Sequence, residues 1–409
     1  MNRAREDRPL GAVEDGDGEA SPLTAPVAAF YTPLKHPFQR EPSGDRQIAR
    51  LLMDGLRATG FAPELASRFL TWRRRFDASE VARLERVAAL IVATLVARYR
   101  RRPPEWRPRL WVSYQNYHRC PDLLGPAVAT ALAIPYILVD TAVSTKSRKT
   151  PFRAWLSAAR VAVRRADLIL AMSPRDVPRL TALRGSAFAA DRLHLLPPAV
   201  DLGRFEVSAN TRAVARAELT RGFGPDDAPL LLCVAMMREA DKLASYRVLA
   251  DALASLAAAR PARPWRLLVV GDGPARGAVE AALGLLPPER VRLLGALEPE
   301  ALPALYLSAD LLAFPGIGEA LGLVYLEAAA AGLPVVACHG AGPDATVAPG
   351  GGFLTAPTPV AFAKGVAQLL DDAEARGQMG AAARRFVANE RSLEAFHRRL
   401  GAALGGLGQ

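Results

Sequence analysis

The amino-acid sequence predicts an α/β protein with two Rossmann-like, doubly wound domains facing a central cleft, and three observations carry that reading. Short apolar runs alternate with longer amphipathic ones along most of the chain, the rhythm of parallel strand and helix units. One segment, "VSANTRAVARAELTRGFGPDDAP", interrupts this rhythm with polar and turn-forming residues and divides the chain near its middle. The length of 409 residues, with 50% hydrophobic side chains, suffices for two or three cores of ordinary size.

In chain order, residues 1–25 are a tail rich in Gly, Asp and Glu, expected to be disordered. Residues 26–205 make the first domain. There "VAAFYTPL", "RLWVSYQN", "PYILVDTAV", "DLILAMS" and "RLHLLPPAV" read as strands buried on both faces, because their apolar runs are nearly continuous. Helical stretches such as "DRQIARLLMDGLRATG" and "FRAWLSAARVAVRRA" separate them. Residues 206–227 form the linker region. Residues 228–385 make the second domain, with strands at "LLLCVAMM", "WRLLVVGDG", "VRLLGAL", "DLLAFPG" and "LPVVACHG". Residues 386–409 are a C-terminal helix, free to return to the first domain. Sheets of this kind bind ligands beyond the carboxyl ends of their strands, so two that face each other enclose a cleft.

Composition narrows the function. Cys120, Cys233 and Cys338 lie far apart with no CxxC spacing, which speaks against a disulfide framework or a zinc site and suits a reducing compartment. The longest uncharged apolar run of the first hundred residues, "VAALIVATLVA", has about eleven residues, short of the roughly twenty that span a bilayer. The opening residues contain no apolar segment of a signal peptide, so a soluble, cytoplasmic protein is expected. The net charge of +11 is unevenly spread: residues 26–205 hold 30 basic and 14 acidic side chains, residues 206–409 hold 19 and 21. Solvated arginine-rich helix faces account for that surplus, and so does contact with an anionic lipid surface or an acidic acceptor. Nucleic acid is disfavoured, because "TWRRRF" and "RYRRR" lack a reading motif or a regular aromatic spacing.

Two stretches of the second domain carry chemistry. "GDGPARG" follows a strand and opens a helix near Pro274, superficially a dinucleotide fingerprint. Position 276 is arginine, the next strand "VRLLGAL" ends without an acidic residue, and the loop does not follow its domain's first strand, so a dehydrogenase is disfavoured. In "FPGIGEALGLVYLEAAAAGLPVVA" the strand ends at Pro315 and Gly316, and a helix starts near Gly322 and is closed by Gly332 and Pro334. Glu319 therefore precedes the helix and Glu327 sits in its second turn. Between them, the backbone N–H groups of Gly322, Leu323 and Val324 at the helix N-terminus suit a phosphate. A nucleotide diphosphate lying there would meet one glutamate at each end. The other reading at this point is a solvated loop glutamate and a helical glutamate meeting a basic neighbour.

The run "VRLLGALEPEALPALYLSADLLAFPGIGEALGLVYLEAAAAGLPVVA", with "LLVVGDGP" before it, resembles the donor half of the family 4 glycosyltransferases, which have the GT-B fold. The likeness is strong from about residue 228 to 356 and weaker but orderly before that. "LHLLPPAVDLGRF" resembles the family's segment joining the domains, with Pro198 and Ala199 where Asn-Gly is usual. The resemblance implies that Glu319 contacts hydroxyls of the donor sugar, that Glu327 holds the nucleotide ribose, and that the helix amides hold the diphosphate, with Gly271 and Gly273 in the same donor site. It also implies an Arg and a Lys after the domain's first strand to neutralise the leaving diphosphate. In "VAMMREADKLASY" the candidates are Arg238, two positions after the usual place, and Lys242, one position after. The chain has only five lysines, so one at this point carries weight, and a fixed cation stabilises charge built on the diphosphate. Either residue also fits an exposed charge at a helix start.

In the first domain, "YTPLKHPFQREPSGDRQIARLL" stands where the family has a glycine-rich acceptor loop. Ser43, Gly44 and Asp45 are acceptor candidates there, and Asp45 equally fits a helix cap. The family's histidine near Thr141 is missing. Asp140 and Thr141 remain to hydrogen-bond a hydroxyl, and His118 in "YQNYHRCPDLLGP" is either an acceptor residue or a structural histidine. The only Asp-x-Asp pair, Asp15 and Asp17, is in the tail, so neither a metal nor a cofactor is expected beyond the nucleotide diphosphate sugar as co-substrate.

The leading expectation is a glycosyltransferase of glycan biosynthesis that moves a sugar from a nucleotide diphosphate sugar to a glycan, lipid-linked or small-molecule acceptor, retention being implied by the resemblance. Its partners would be the donor, an unidentified acceptor and an anionic membrane surface met by the basic helices of the first domain, with a cytoplasmic, peripheral location. Two alternatives stay open: an epimerase or hydrolase of nucleotide sugars on the same fold, and a non-catalytic sugar-nucleotide-binding protein.

Overall fold

A computed structural model describes residues 25–39, 43–75, 77–142, 153–223 and 228–408. Residues 1–24, with Asp15 and Asp17, and the end of the expected linker at 224–227 lie outside the described residues. The first domain runs β1 (Val27–Tyr31), α1 (Gly44–Ala58), β2 (Ala62–Leu65), α2 (Ala78–Arg101), β3 (Pro108–Asn116), α3 (Gly125–Leu132), β4 (Tyr136–Thr141), α4 (Arg153–Arg165), β5 (Leu168–Ala171), α5 (Val177–Arg184), α6 (Ser186–Arg192) and β6 (Leu193–Leu195). Its strands pair in parallel in the order β2-β1-β3-β4-β5-β6. Alternate residues of one strand feed opposite cores: Phe30, Val112 and Val139 face one side, Tyr31, Trp111 and Leu138 the other. This double burial is why the strands read as unbroken apolar runs.

The chain then crosses to α7 (Ala209–Thr220), β7 (Leu230–Val234), α8 (Asp241–Ala259), β8 (Arg266–Val270), α9 (Arg276–Leu283), β9 (Val291–Gly295), α10 (Leu302–Ser308), β10 (Leu311–Ala313), α11 (Leu323–Ala330), β11 (Val335–Cys338), α12 (Ala341–Thr346), β12 (Gly352–Thr355), α13 (Pro359–Asp371), α14 (Ala373–Glu390) and α15 (Leu393–Gly405). The second sheet is also parallel, in the order β12-β11-β10-β7-β8-β9.

Several elements differ from the sequence reading. Each sheet has a sixth strand, β2 or β12, at one edge. Both are short and half-buried, and β2 contains Pro63, so neither shows the apolar run that marks a central strand. The stretch read as a linker instead carries helix α7. Arg216 fastens it to the second domain through the Asp310 carboxylate at 2.8 Å and the Ser308 carbonyl at 2.6 Å. Helix α9 begins at Arg276, after Pro274 rather than on it, because the Ala275 N–H is drawn to the Met237 carbonyl at 2.9 Å. At the other end of the chain, Phe396, Leu400 and Leu404 of α15 enter the first domain's core beside Ile48 and Leu52 of α1. The two crossings between domains run side by side, with the Val200 N–H donating to the Arg391 carbonyl at 2.9 Å.

Candidate functional site

In an open parallel sheet the crevice forms where neighbouring strands send their helices to opposite faces. In the second sheet that point lies between β7 and β10. The loop after β7 carries Arg238 and leads into α8, where Lys242 stands in the first turn; the loop after β10 carries Glu319. Lys242 Nζ closes on Glu319 Oε2 in an ion pair across this crevice, with side-chain exposures of 26% and 20%. The Lys242 ammonium also sits 4.9 Å above the Phe314 ring. Ala240, just before α8, has φ of 61°, an uncommon conformation for a residue with a Cβ, at the turn that aims both cations. Arg238 itself is exposed.

Helix α11 starts one residue past Gly322, whose φ of 66° suits a residue without a Cβ. The first amides of any helix have no partner within it. Here the Gly322 N–H donates to Glu319 Oε1 at 3.3 Å, so the Glu319 carboxylate lies over the helix N-terminus and bridges it to Lys242. Glu327 is half-buried one turn on, accepting from the Tyr306 hydroxyl at 2.8 Å and from Gln47 Nε2 of α1 at 3.5 Å. Burial pushes its carboxyl above the ordinary range, and the Tyr306 and Gln47 hydrogen bonds and the Arg204 charge only partly oppose this. The first domain thus reaches into the second at α11. A Cβ on Gly44 would lie 3.5 Å from Leu323 Cδ1, bringing the N-termini of α1 and α11 face to face.

Gly271 and Gly273 line the loop after β8, with φ of 143° and 152°. A Cβ there would fall 1.9 Å from the Ala235 carbonyl oxygen and 2.4 Å from that of Met237. Their absent side chains let this loop press on the loop that carries Arg238.

The first sheet has its own switch point, between β1 and β3. Lys35 from the loop after β1 forms an ion pair with Asp45 and donates to Ser43 Oγ at 2.9 Å, while Gln115 at the end of β3 donates to Asp45 Oδ1 at 2.9 Å. Burial raises the Asp45 carboxyl, but the Lys35 charge and the hydrogen bonds from Lys35, Gln115 and Ser43 outweigh it and hold the group below its usual range. Gln115 and Asp140, at neighbouring strand ends, both have positive φ, 74° and 54°. Burial, then the charges of Asp176 and Asp45, push Asp140 up to about 7. The Thr141 hydroxyl is committed to Asn116, donating to its carbonyl and accepting from its amide, both at 2.9 Å. His118 is half-buried beside Tyr117, and burial followed by the Arg119 charge lowers its pKa.

Of the residues singled out from the sequence, the fold brings Lys242, Glu319, the Gly322–Val324 amides, Glu327 and Gly44 to one place. Asp45 stands in the first turn of α1 and Asp140 near the end of β4, with Thr141 turned into the first domain's core. Sequence reasoning missed Tyr306, Phe314 and Gln47, whose partners come from other elements. It also missed Lys35, which the scarcity of lysine could have flagged.

Residues 228–372 match the family model described as glycosyl transferases group 1. A curated D-inositol 3-phosphate glycosyltransferase of Nocardia farcinica is 34% identical over 223 residues, 53% of this chain and 47% of that protein. The chain thus spans about half the length of the curated relatives it matches. Among solved structures, sucrose-phosphate synthase from Thermosynechococcus elongatus superposes with a TM-score of 0.72 at 20% identity, over 93% of this chain and 99% of that one. HepE of Anabaena, in complex with UDP-glucose, gives 0.67 at 18% identity over 92% and 99%. The second domain thus matches the glycosyl transferases group 1 model, and the chain as a whole has the two-domain GT-B fold of these solved structures.

Proposed function

We propose that the protein transfers a sugar from a nucleotide diphosphate sugar, bound at α11 and the β7–α8 turn, to an acceptor held by the first domain, with retention and without a metal. The observation that carries this reading is the Lys242–Glu319 ion pair across the switch point, with the N-terminus of α11 between Glu319 and Glu327. In use, Glu319 turns from Lys242 toward the donor sugar's hydroxyls, which frees the amides and the ammonium for the diphosphate. Lys242, with Arg238 beside it, then stabilises the charge that grows as the sugar–phosphate bond breaks. In this reading Lys242 and Arg238 take the neutralising role. Glu327, desolvated and already accepting from Tyr306, suits a ribose hydroxyl. UDP-glucose in the HepE complex supports a nucleotide-sugar donor as the class. The relatives that act on a phosphorylated polyol, as their names state, leave the acceptor of this chain to be found.

The location belonging to this reading is cytoplasmic and peripheral, with the basic first domain toward an anionic membrane. No described helix is long and apolar enough to cross a bilayer. A thermal-shift screen of nucleotide sugars tests the function, because a donor at a hundred times its Kd adds about 2.7 kcal/mol of stability. Glu327→Ala should abolish that shift, and Glu319→Ala should keep binding while losing turnover. A screen in which neither nucleotide nor nucleotide sugar shifts the wild type, or unchanged affinity in Glu327→Ala, overturns the assignment.

A further inference from the structure

On the edge of the first domain opposite the cleft, a groove of about 640 Å³ opens beside the starts of β4 and β5. Four guanidinium groups line it, Arg164, Arg165, Arg184 and Arg192, against the single carboxylate of Asp167. Three helices deliver them. Arg164 and Arg165 end α4, Arg184 ends α5 and Arg192 ends α6. Cations at helix C-termini have a structural reason, since they answer the terminal carbonyls and the negative end of the dipole. Part of that duty is visible: Arg184 donates to the Arg164 carbonyl and, at 3.1 Å, to that of Ala166, and Arg192 donates to the Gly406 carbonyl at 2.8 Å.

Those partners are neutral, however, and they satisfy donors without cancelling charge. The one carboxylate is taken by Arg165 at 2.8 Å and by the Tyr136 N–H, also at 2.8 Å. Arg184 is held rigid, its guanidinium stacked 3.7 Å from the centre of the Phe188 ring and its Nε buried without a hydrogen-bond partner. Burial lowers its pKa, the mark of a cation that lacks a sufficient counter-charge. The groove therefore presents three positive charges beyond its own neutralisation, in a concavity with the volume of a small-molecule site. A planar, fixed guanidinium suits bidentate contact with phosphate oxygens.

We propose that this groove binds a phosphate-bearing group through Arg164, Arg184 and Arg192, at a site separate from the catalytic cleft. The proposal does not rest on the glycosyl-transfer reading. The phosphate can belong to a lipid headgroup or to a soluble molecule, and the test has an arm for each. Full-length wild type, Arg164→Gln/Arg192→Gln and, as a control of equal chemistry on an exposed residue at the end of α2, Arg101→Gln are compared. One arm sediments them with phosphatidylcholine vesicles containing or lacking phosphatidylglycerol; the other titrates inorganic pyrophosphate calorimetrically. The cleft is intact in all three proteins, so its own affinity for pyrophosphate cancels in the comparison.

Each arginine near an anionic surface is worth about a fivefold change in affinity, so the double variant should bind about thirtyfold more weakly. Loss in the vesicle arm identifies a headgroup, and loss of a pyrophosphate site with unchanged vesicle binding identifies a soluble ligand. Binding unchanged in both arms overturns the site, and so does a loss per arginine no larger than that of Arg101→Gln. Should the double variant melt early, the exposed Arg164→Gln alone, expected to bind about fivefold more weakly, carries the same comparison.

Discussion

On the proposed reading, replacing Lys242 by Met separates turnover from stability at the switch point of the second sheet. Methionine keeps an unbranched stem beside the Phe314 ring, so the perturbation is close to a deletion of charge. The ion pair with Glu319 is only partly exposed, 26% and 20%, which places its worth near the upper end for solvent-screened pairs, about 1 kcal/mol. Removing it lowers the melting temperature by about 2–4 °C in a domain of this size. The cost in turnover is larger. One fixed donor lost from a charge-stabilising site reduces kcat by about 10²–10³, or about 3–4 kcal/mol, because the charge it answers exists only as the bond breaks. The assay is steady-state sugar transfer beside calorimetric melting, with Glu319→Gln and the double variant completing a cycle. The double variant should melt no lower than either single variant, because the pair is already lost in each, and should not recover turnover. A Lys242→Met enzyme within about threefold of wild-type kcat would refute the role given to this lysine.

Three further outcomes follow from single contacts. Tyr306→Phe removes the 2.8 Å donor to Glu327 and should weaken nucleotide binding about tenfold by titration calorimetry; unchanged affinity would show that Glu327 does not need its partner. Gly271→Ala drives a Cβ to 1.9 Å from the Ala235 carbonyl and should cost about 3 kcal/mol or more in denaturant unfolding, whereas a loss under about 1 kcal/mol would mean that the two loops yield freely. Asp140, pushed up to about 7 by burial and by Asp176 and Asp45, holds a proton in the folded state that the unfolded chain releases above about pH 4. Its stabilising contribution is complete at low pH and lost as pH rises through about 7. Asp140→Asn should therefore melt higher than wild type at about pH 8.5, by about 1–2 kcal/mol after allowance for solvent, and equally at about pH 4; a difference independent of pH would refute it.

Much of this protein is legible without its structure. Continuous apolar runs report burial on both faces, which only a parallel sheet under two helix layers provides, so the central strands of both domains stand out in the text. The loop–helix unit from Gly316 to Gly332 is equally local: Gly322 sits at a left-handed start, Glu319 before it and Glu327 a turn after it, whatever the rest of the chain does. Edge strands β2 and β12 escape notice because one side of each faces solvent and their composition follows that mixed environment. Only tertiary structure decided the partners. Lys242 and Glu319 meet because β7 and β10, far apart in sequence, are neighbours in the sheet. Tyr306 and Gln47 converge on Glu327 from a different helix and a different domain, and three helix ends bring Arg164, Arg184 and Arg192 to one groove. Periodicity and spacing encode what a residue's own element requires of it. Which side chain it faces depends on how the elements pack, and no single segment holds that information.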